Sequence, residues 1–225
     1  MAAVDIWAGR LDCAAAEVER LKTILSLPEQ ARAGRFHFAR DRRRFIVRRA
    51  RLREVLGAAV GIAPQRLTFR VNAFGKPALV ESALCFSATH SGEHWAVAVS
   101  NVEVGLDIET HKPGIDHRDI AHGLFAPMEV AALTALPDTA AERAFFDIWA
   151  RKEAFVKALG EGLSYPLDAF TVSHGADARL TRGGEGWAIT ALSVAPDVSA
   201  ALVARDDGEA LTVTYRSFEQ QRVAA

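Results

Sequence analysis

The residues best suited to chemistry lie in two short segments about forty positions apart. The first, GLDIE, carries Asp107 and Glu109. Side chains two apart on a strand share a face, so these carboxylates would stand side by side. Like charges that close repel unless one is protonated or a cation lies between them. The second segment, WARKEAFVK at 149–157, carries Glu153 and Lys157. Glu153 would complete an all-oxygen donor set, which suits Mg2+, an ion that keeps waters and shares substrate phosphate oxygens. Plainer arrangements use the same residues. They are scattered acids on a solvent-facing strand edge, and a Glu153–Lys157 pair at i, i+4 on an exposed helix.

An oxygen-ligated cation raises the question of phosphates. No G-x-x-x-x-G-K-[ST] loop is present, and no G-x-G-x-x-G follows a strand. Cations beside turn residues are present instead: Lys76 in FGKP and His90 in THSG. A lysine in such a turn is commonly just solvated. A histidine between a strand and a Ser-Gly turn is either a surface residue or one that turns its imidazole and nearby N–H groups toward an anion. Ten arginines fall between Arg32 and Arg53, with Asp41 the only acid among them. Such a helix is a solvated basic face or a tracker of phosphodiesters. Phe36, Phe38 and Phe45 have core-like spacing, which serves single-strand stacking poorly.

The basic patch is hidden in a formal net charge of −1 over 225 residues. The total therefore supplies no global field toward nucleic acid or membrane. Cys13 and Cys85 are the only cysteines and have no metal-ligand spacing. Asp5 interrupts the N-terminal MAAVDIWAGR where a signal peptide needs an apolar core. No apolar run approaches a bilayer span, and a cytoplasmic chain is expected. Half of the residues are apolar, enough for one large domain or two small lobes.

The elements that must position these residues follow from periodicity. VDIWAG alternates as a strand, and 12–25 has helical spacing with Asp12 as its cap. A long helix is expected from Arg40 to Gly61. LTFRV and LCFSA read as strands around the turn NAFGKP, THSGEH as a break, and WAVAVS and VEVGLDIE as further strands. Helices are expected at about 116–123, 127–135 and 138–160, with THKPGIDHR a breaker-rich connection before them. The last third returns to strands in DAFTVS, GWAITALSVA, SAALVAR and LTVTYRS. Helices then strands appear on each side of residue 104, which predicts an α+β fold. Its two similar lobes, 1–104 and 105–225, would each have a small, mostly antiparallel sheet under a long helix.

Taken in order, FGKPAL, FSATHSGEHWAVAV, VGLDIE and FFDIWARKEAFVKALGEGLSYPLDAF closely resemble the 4′-phosphopantetheinyl transferases of the larger, surfactin-synthetase-activating (Sfp) type. The hallmark of that family is a G-[IV]-D-[IV]-E strand followed by W-x-x-K-E-[AS]-F-x-K, here GLDIE and WARKEAFVK. The resemblance runs from about Leu27 to Val172. It implies two lobes related by a pseudo-twofold, with coenzyme A between them and transfer of phosphopantetheine to a serine of an apo acyl or peptidyl carrier protein. Release of 3′,5′-ADP completes the reaction, and a monomer is expected.

By the same resemblance, Asp107, Glu109 and Glu153 hold Mg2+, or Mn2+ in its place. Glu153 is also the base for the carrier serine, and Lys157 binds the phosphates. Gly75, Lys76 and Pro77 match a loop along the adenosine diphosphate, and Thr89 and His90 a phosphate-contacting Ser-His pair with Thr for Ser. Arg32 and Arg44 match grips on the 3′-phosphate. On a helical wheel Lys152 lies inside the apolar stripe of Phe145, Phe146, Ile148, Trp149, Phe155, Val156 and Leu159, with Glu153 at its flank. Both are then expected to point into the cleft. Carrier proteins of this type are expected to be acidic, which makes the exposed arginines among Arg40, Arg42, Arg43, Arg48, Arg49 and Arg51, those not occupied by coenzyme A, candidates for docking. Two other readings of the same residues are a nucleic-acid-binding module on the arginine helix and a metal-dependent phosphohydrolase.

Overall fold

Alternating apolar residues build β1 (Ala3–Arg10), whose two faces enter different cores: Val4 and Ile6 on one side, Trp7 on the other. The structure is a computed structural model and describes residues 2–208 and 210–217. Helices α1 (Ala15–Lys22), α2 (Leu27–Gly34) and α3 (Ala39–Val60) follow. Next come the short hairpin β2 (Phe69–Val71) and β3 (Pro77–Leu79), then β4 (Cys85–Ser91), β5 (His94–Ser100) and β6 (Val104–Thr110). After α4 (His117–Leu124), α5 (Pro127–Thr134) and α6 (Asp138–Leu159), the strands are β7 (Thr171–Val172), β8 (Leu180–Arg182), β9 (Trp187–Leu192), β10 (Val198–Arg205) and β11 (Thr212–Arg216).

The fold is mixed α+β, with six α-helices and four small sheets among the described residues. The larger sheets have the orders β11-β1-β5-β4 and β6-β10-β9. Their strands pair antiparallel except β1 with β11, which run parallel, Ile6 opposite Tyr215. The stretch 105–225 therefore does not stay on one side of the fold, because β11 crosses back to the first sheet. A strand edge with unpaired backbone groups is the reason such a return is favourable.

Strand parity explains the layers. Trp7, Trp95, Val97 and Val99 pack under α3, and Ala201 and Val203 under α6. The opposite faces meet each other in a third core of Ile6, Ala98, Leu106, Ile108, Ala200 and Leu202. Burying a side chain such as Leu106 or Ile108 contributes about 1.5–3 kcal/mol. Both long helices stop on a left-handed glycine, Gly61 at φ 68° and Gly160 at φ 80°, a conformation that costs other residues.

Three local expectations need correction. Asp12 does not cap α1, whose first flanking residue is Ala14; its carboxylate goes to Arg44 instead. The break expected over THSGEH is narrower than that segment: β4 runs through Ser91, the chain turns at Gly92 and Glu93, and β5 starts at His94. Only Thr171 and Val172 of DAFTVS form a strand, β7, which follows a 3-10 turn at Leu167–Ala169 and pairs with β8. No described helix is long and apolar enough to cross a membrane.

Candidate active site

The glycine of GLDIE explains why the two motifs meet. A Cβ on Gly105 would lie 2.0 Å from the Ala154 carbonyl oxygen and 2.3 Å from the Ala158 amide nitrogen. Only a residue without a side chain lets α6 lie directly on β6. Asp107 and Glu109 share that face of the strand and so look toward the helix that carries Glu153 and Lys157. Lys157 Nζ reaches Asp107 Oδ1 at 2.5 Å.

Asp107 is 3% exposed, and its Oδ1 accepts from Thr89 Oγ1 at 2.9 Å as well as from Lys157. Glu109 accepts from Ser91 Oγ at 2.8 Å. Buried side-chain polar atoms without a hydrogen-bond partner number four among the described residues, and two of them are Asp107 Oδ2 and Glu153 Oε1. Orphans of this kind are expensive in a finished core and call for a ligand. Burial raises the carboxyl pKa of Asp107 against the opposing Lys157 charge. Burial also raises those of Glu109 and Glu153, with the neighbouring carboxylates adding to the effect.

The donor chemistry fits Mg2+, a hard ion that takes carboxylate oxygens. The set is gathered but not closed: among the described residues no group of three His, Cys, Asp or Glu stands close enough to hold an ion. The cation on Asp107 here is Lys157 itself.

Three hydroxyls on β4 hold β6 in place. Ser87 Oγ accepts from Leu106 N at 2.9 Å, Thr89 donates to Asp107, and Ser91 both donates to Glu109 and accepts from Thr110 N at 3.1 Å. β4 and β6 belong to different sheets, so these side chains replace a backbone ladder between them. Ser87 and Ser91 were missed by motif reasoning. Their signal is the alternation SATHS, with a hydroxyl at every second residue.

Two cavities flank the carboxylates. One, of about 220 Å³, is lined by Gly75, Lys76, Pro77, Phe86, Ser87 and Lys157. The second, of about 490 Å³, is lined by Arg44, Arg48, His90, Gly92, Glu109 and Lys112. The expected loop, the Thr-His pair and the carboxylate cluster are thus brought together. His90 sits at the rim with its ring exposed, yet partial desolvation and the Arg48 and Lys157 cations pull its pKa down to about 4. It is a neutral imidazole at pH 7.

The arginines separate into spent and unspent charges. Arg44 forms a two-point ion pair with Asp12 and also donates to the Gly92 carbonyl at 2.9 Å. Arg49 and Arg53 share Glu29, and Arg51 is held by Glu17 and Glu54. Arg32 is exposed, 5.4 Å from the Phe45 ring. Arg48 is half-buried in the second cavity, has no carboxylate partner among the described residues, and is disfavoured as a cation by burial and by Arg49 and Arg32. Of the six arginines from which exposed docking candidates are drawn, Arg49 and Arg51 are neutralised internally and Arg48 faces a cavity. Only Arg40, Arg42 and Arg43 of that set are exposed.

Lys152 does not point into the cleft. It is fully buried, ion-paired to Glu129 Oε2 at 2.8 Å, and donates to the carbonyls of Leu167 at 2.6 Å and Phe170 at 2.9 Å. One residue on, a rotation of about 100° carries Glu153 to the cleft side. The Glu153–Lys157 surface pair does not form as imagined either, because Lys157 turns to Asp107.

Comparison with known proteins fits this arrangement. The 4′-phosphopantetheinyl transferase superfamily matches residues 103–212, and the 4′-phosphopantetheinyl transferase N-terminal family matches 12–102. The chain is 37% identical over 166 residues to the 4′-phosphopantetheinyl transferase HetI of Nostoc sp., covering 72% of this chain and 70% of the relative. A 4′-phosphopantetheinyl transferase of Bacillus subtilis is 33% identical, with 70% of each chain covered. The transferase Sfp of Bacillus subtilis strain 168 is 29% identical, with 69% of each covered. The chain belongs to the 4′-phosphopantetheinyl transferase superfamily, and within it to the Sfp type.

Proposed function

We propose that this enzyme transfers 4′-phosphopantetheine from coenzyme A to a serine of an apo acyl or peptidyl carrier protein, releasing 3′,5′-ADP. The observation that carries the reading is the pair of orphaned buried carboxylate oxygens on Asp107 and Glu153, set beside Lys157 between two cation-lined cavities. Asp107, Glu109 and Glu153 are the residues that would hold Mg2+, which when bound neutralises charge on the pyrophosphate oxygens. The two halves, 1–104 and 105–225 apart from β11, are read as pseudo-twofold related. The matching 22-residue helices with glycine stops support this.

The residues divide the remaining work. Glu153, with its raised pKa, accepts the proton of the carrier serine hydroxyl, a transfer favoured when the base is tuned upward toward the working pH. The serine oxygen then bonds to the phosphorus bearing the pantetheine, the bridging P–O bond breaks, and 3′,5′-ADP leaves with that electron pair. Lys157 moves its charge from Asp107 to the transferring phosphoryl oxygens, where fixed cations act most strongly. Gly75 and Pro77 wall the cavity for the adenosine diphosphate. The 3′-phosphate is assigned to Arg48 with Thr89 and the neutral His90 nearby; Arg44 and Arg32 are secondary, since Arg44 is already paired.

The test mixes the protein, coenzyme A and Mg2+ with a panel of apo carriers and weighs each carrier by intact mass spectrometry. A phosphopantetheine mass gain, abolished by chelation, is the expected result. Inorganic phosphate release with no carrier modification would instead favour a phosphohydrolase.

A further inference from the structure

Lys76 lies in the loop assigned to the adenosine diphosphate, and the obvious role for its ammonium is a phosphate contact. The ammonium points elsewhere. Nζ donates to the carbonyl of Ala158 at 2.9 Å and to that of Val104 at 3.2 Å. Ala158 is in the last turn of α6, one residue after Lys157; Val104 opens β6, three residues before Asp107. The last carbonyls of a helix lack intrahelical partners and carry the negative end of its dipole, so a cation there is favourable.

The rest of the loop makes the same attachment. Asn72 Nδ2 donates to the Gly160 carbonyl at 2.8 Å, while its Oδ1 accepts from the backbone N–H groups of Phe74 and Lys76, each at 2.9 Å. Gly160 closes α6, and a Cβ there would lie 3.1 Å from Lys76 Cδ and 3.2 Å from Asn72 Nδ2. The helix stop and the loop are thus fitted to each other.

We infer that Lys76 is a positioning residue: with Asn72 it clamps the ends of α6 and β6 together and so sets Glu153 and Lys157 against Asp107. The inference rests on the transferase reading above and concerns only how this loop serves it. Carrier modification by the wild-type enzyme tests that reading separately, before any variant is compared.

Lys76→Met, Lys76→Arg and Asn72→Ala are assayed for kcat and for KM toward coenzyme A. Amide hydrogen exchange at 156–161 is measured on the ligand-free proteins. Misplacing a reacting group by a fraction of an ångström costs rate, not ground-state affinity, so kcat should fall roughly tenfold in Lys76→Met with KM within about twofold. Exchange at 156–161 should quicken without any ligand present, Lys76→Arg should recover much of both, and Asn72→Ala should shift both the same way. A large rise in KM at unchanged kcat, with α6 exchange as in the wild type, would make Lys76 a phosphate contact and overturn the inference. Wild-type kinetics in Lys76→Met would overturn it as well. Asn72→Ala keeps the lysine, so it still decides the matter should Lys76→Met fail to fold.

Discussion

α3 and α6 are each 22 residues long and each stops at a left-handed glycine, yet they treat their charges in opposite ways. On α3 the buried and half-buried arginines meet carboxylates from the segment before α1, from α1, from α2 and from their own helix, so that Arg44, Arg49, Arg51 and Arg53 are neutralised inside the fold. Arg48 is left over. On α6, Lys152 is fully paired in the core, whereas Glu153 keeps a buried oxygen with no partner and Lys157 is lent to Asp107. A density of charge therefore says little about use. What matters is whether the fold has already satisfied it.

The comparison breaks most visibly at Asp107. Asp107→Ala removes a carboxylate with one unpartnered buried oxygen, so activity should fall by roughly 100–1000-fold, the range for losing one preorganised electrostatic group. The fold should persist, since the residue was unfavourably buried. Steady-state transfer rates beside thermal melts check both halves. Retention of full activity would remove Asp107 from the site.

A satisfied charge should show the reverse. Lys152→Met leaves Glu129 buried and unpaired, a loss of about 3–5 kcal/mol in urea or guanidinium unfolding. Where the variant remains folded, KM for coenzyme A should stay near that of the wild type. Unchanged stability would mean the buried pair does not hold α6 against α5.

Among the arginines beside the second cavity, the half-buried Arg48, without a carboxylate partner among the described residues, should matter most. Arg48→Ala should raise KM for coenzyme A by roughly tenfold or more, the worth of one charge-assisted hydrogen bond, with little change in kcat because a remote contact is made equally in ground and transition states. Arg44→Ala and Arg32→Ala should each do less. Equal effects from Arg44→Ala and Arg48→Ala would erase the distinction between spent and unspent cations.

The smallest effect is the pH dependence of stability, and its sign differs between the two regions. Glu17, beside α3, is lowered to about 2 by its hydrogen bond to Arg20 despite desolvation. A depressed carboxylate contributes stability that is present above its ordinary 4.5 and lost as pH falls through its folded value. Glu153 is raised above 4.5 by burial, with Asp107 and Glu109 adding to it. It binds its proton more tightly folded than unfolded, so its contribution is lost as pH rises from 4.5 through its folded value. Glu153→Gln should therefore flatten the decline of metal-free stability above that pH and leave the acid limb alone. Urea midpoints from pH 3 to 8 in chelator give both slopes, and an unchanged upper slope would return Glu153 to an ordinary surface carboxylate.

Much of this molecule is legible from residue order. Strand parity in GLDIE puts Asp107 and Glu109 on one face, and helical spacing delimits α3 and α6 to within a residue or two, because both are properties of neighbours along one element. Alternation is equally visible in SATHS, although only its assembled form shows that Ser87, Thr89 and Ser91 bond to β6. What the chain order could not decide was which partner each charge meets. Lys152 and Glu153 are adjacent, yet a rotation of about 100° sends one to Glu129 and the other to the cleft. Arg44 and Arg48 are one helical turn apart, and Asp12, thirty-two positions from Arg44, neutralises only the first. Lys76 looks like a free turn cation until the end of α6 is laid against it. Local periodicity is written in consecutive residues, but the neutralisation of a charge is settled between elements far apart in sequence, and only their packing brings the partners within hydrogen-bond distance.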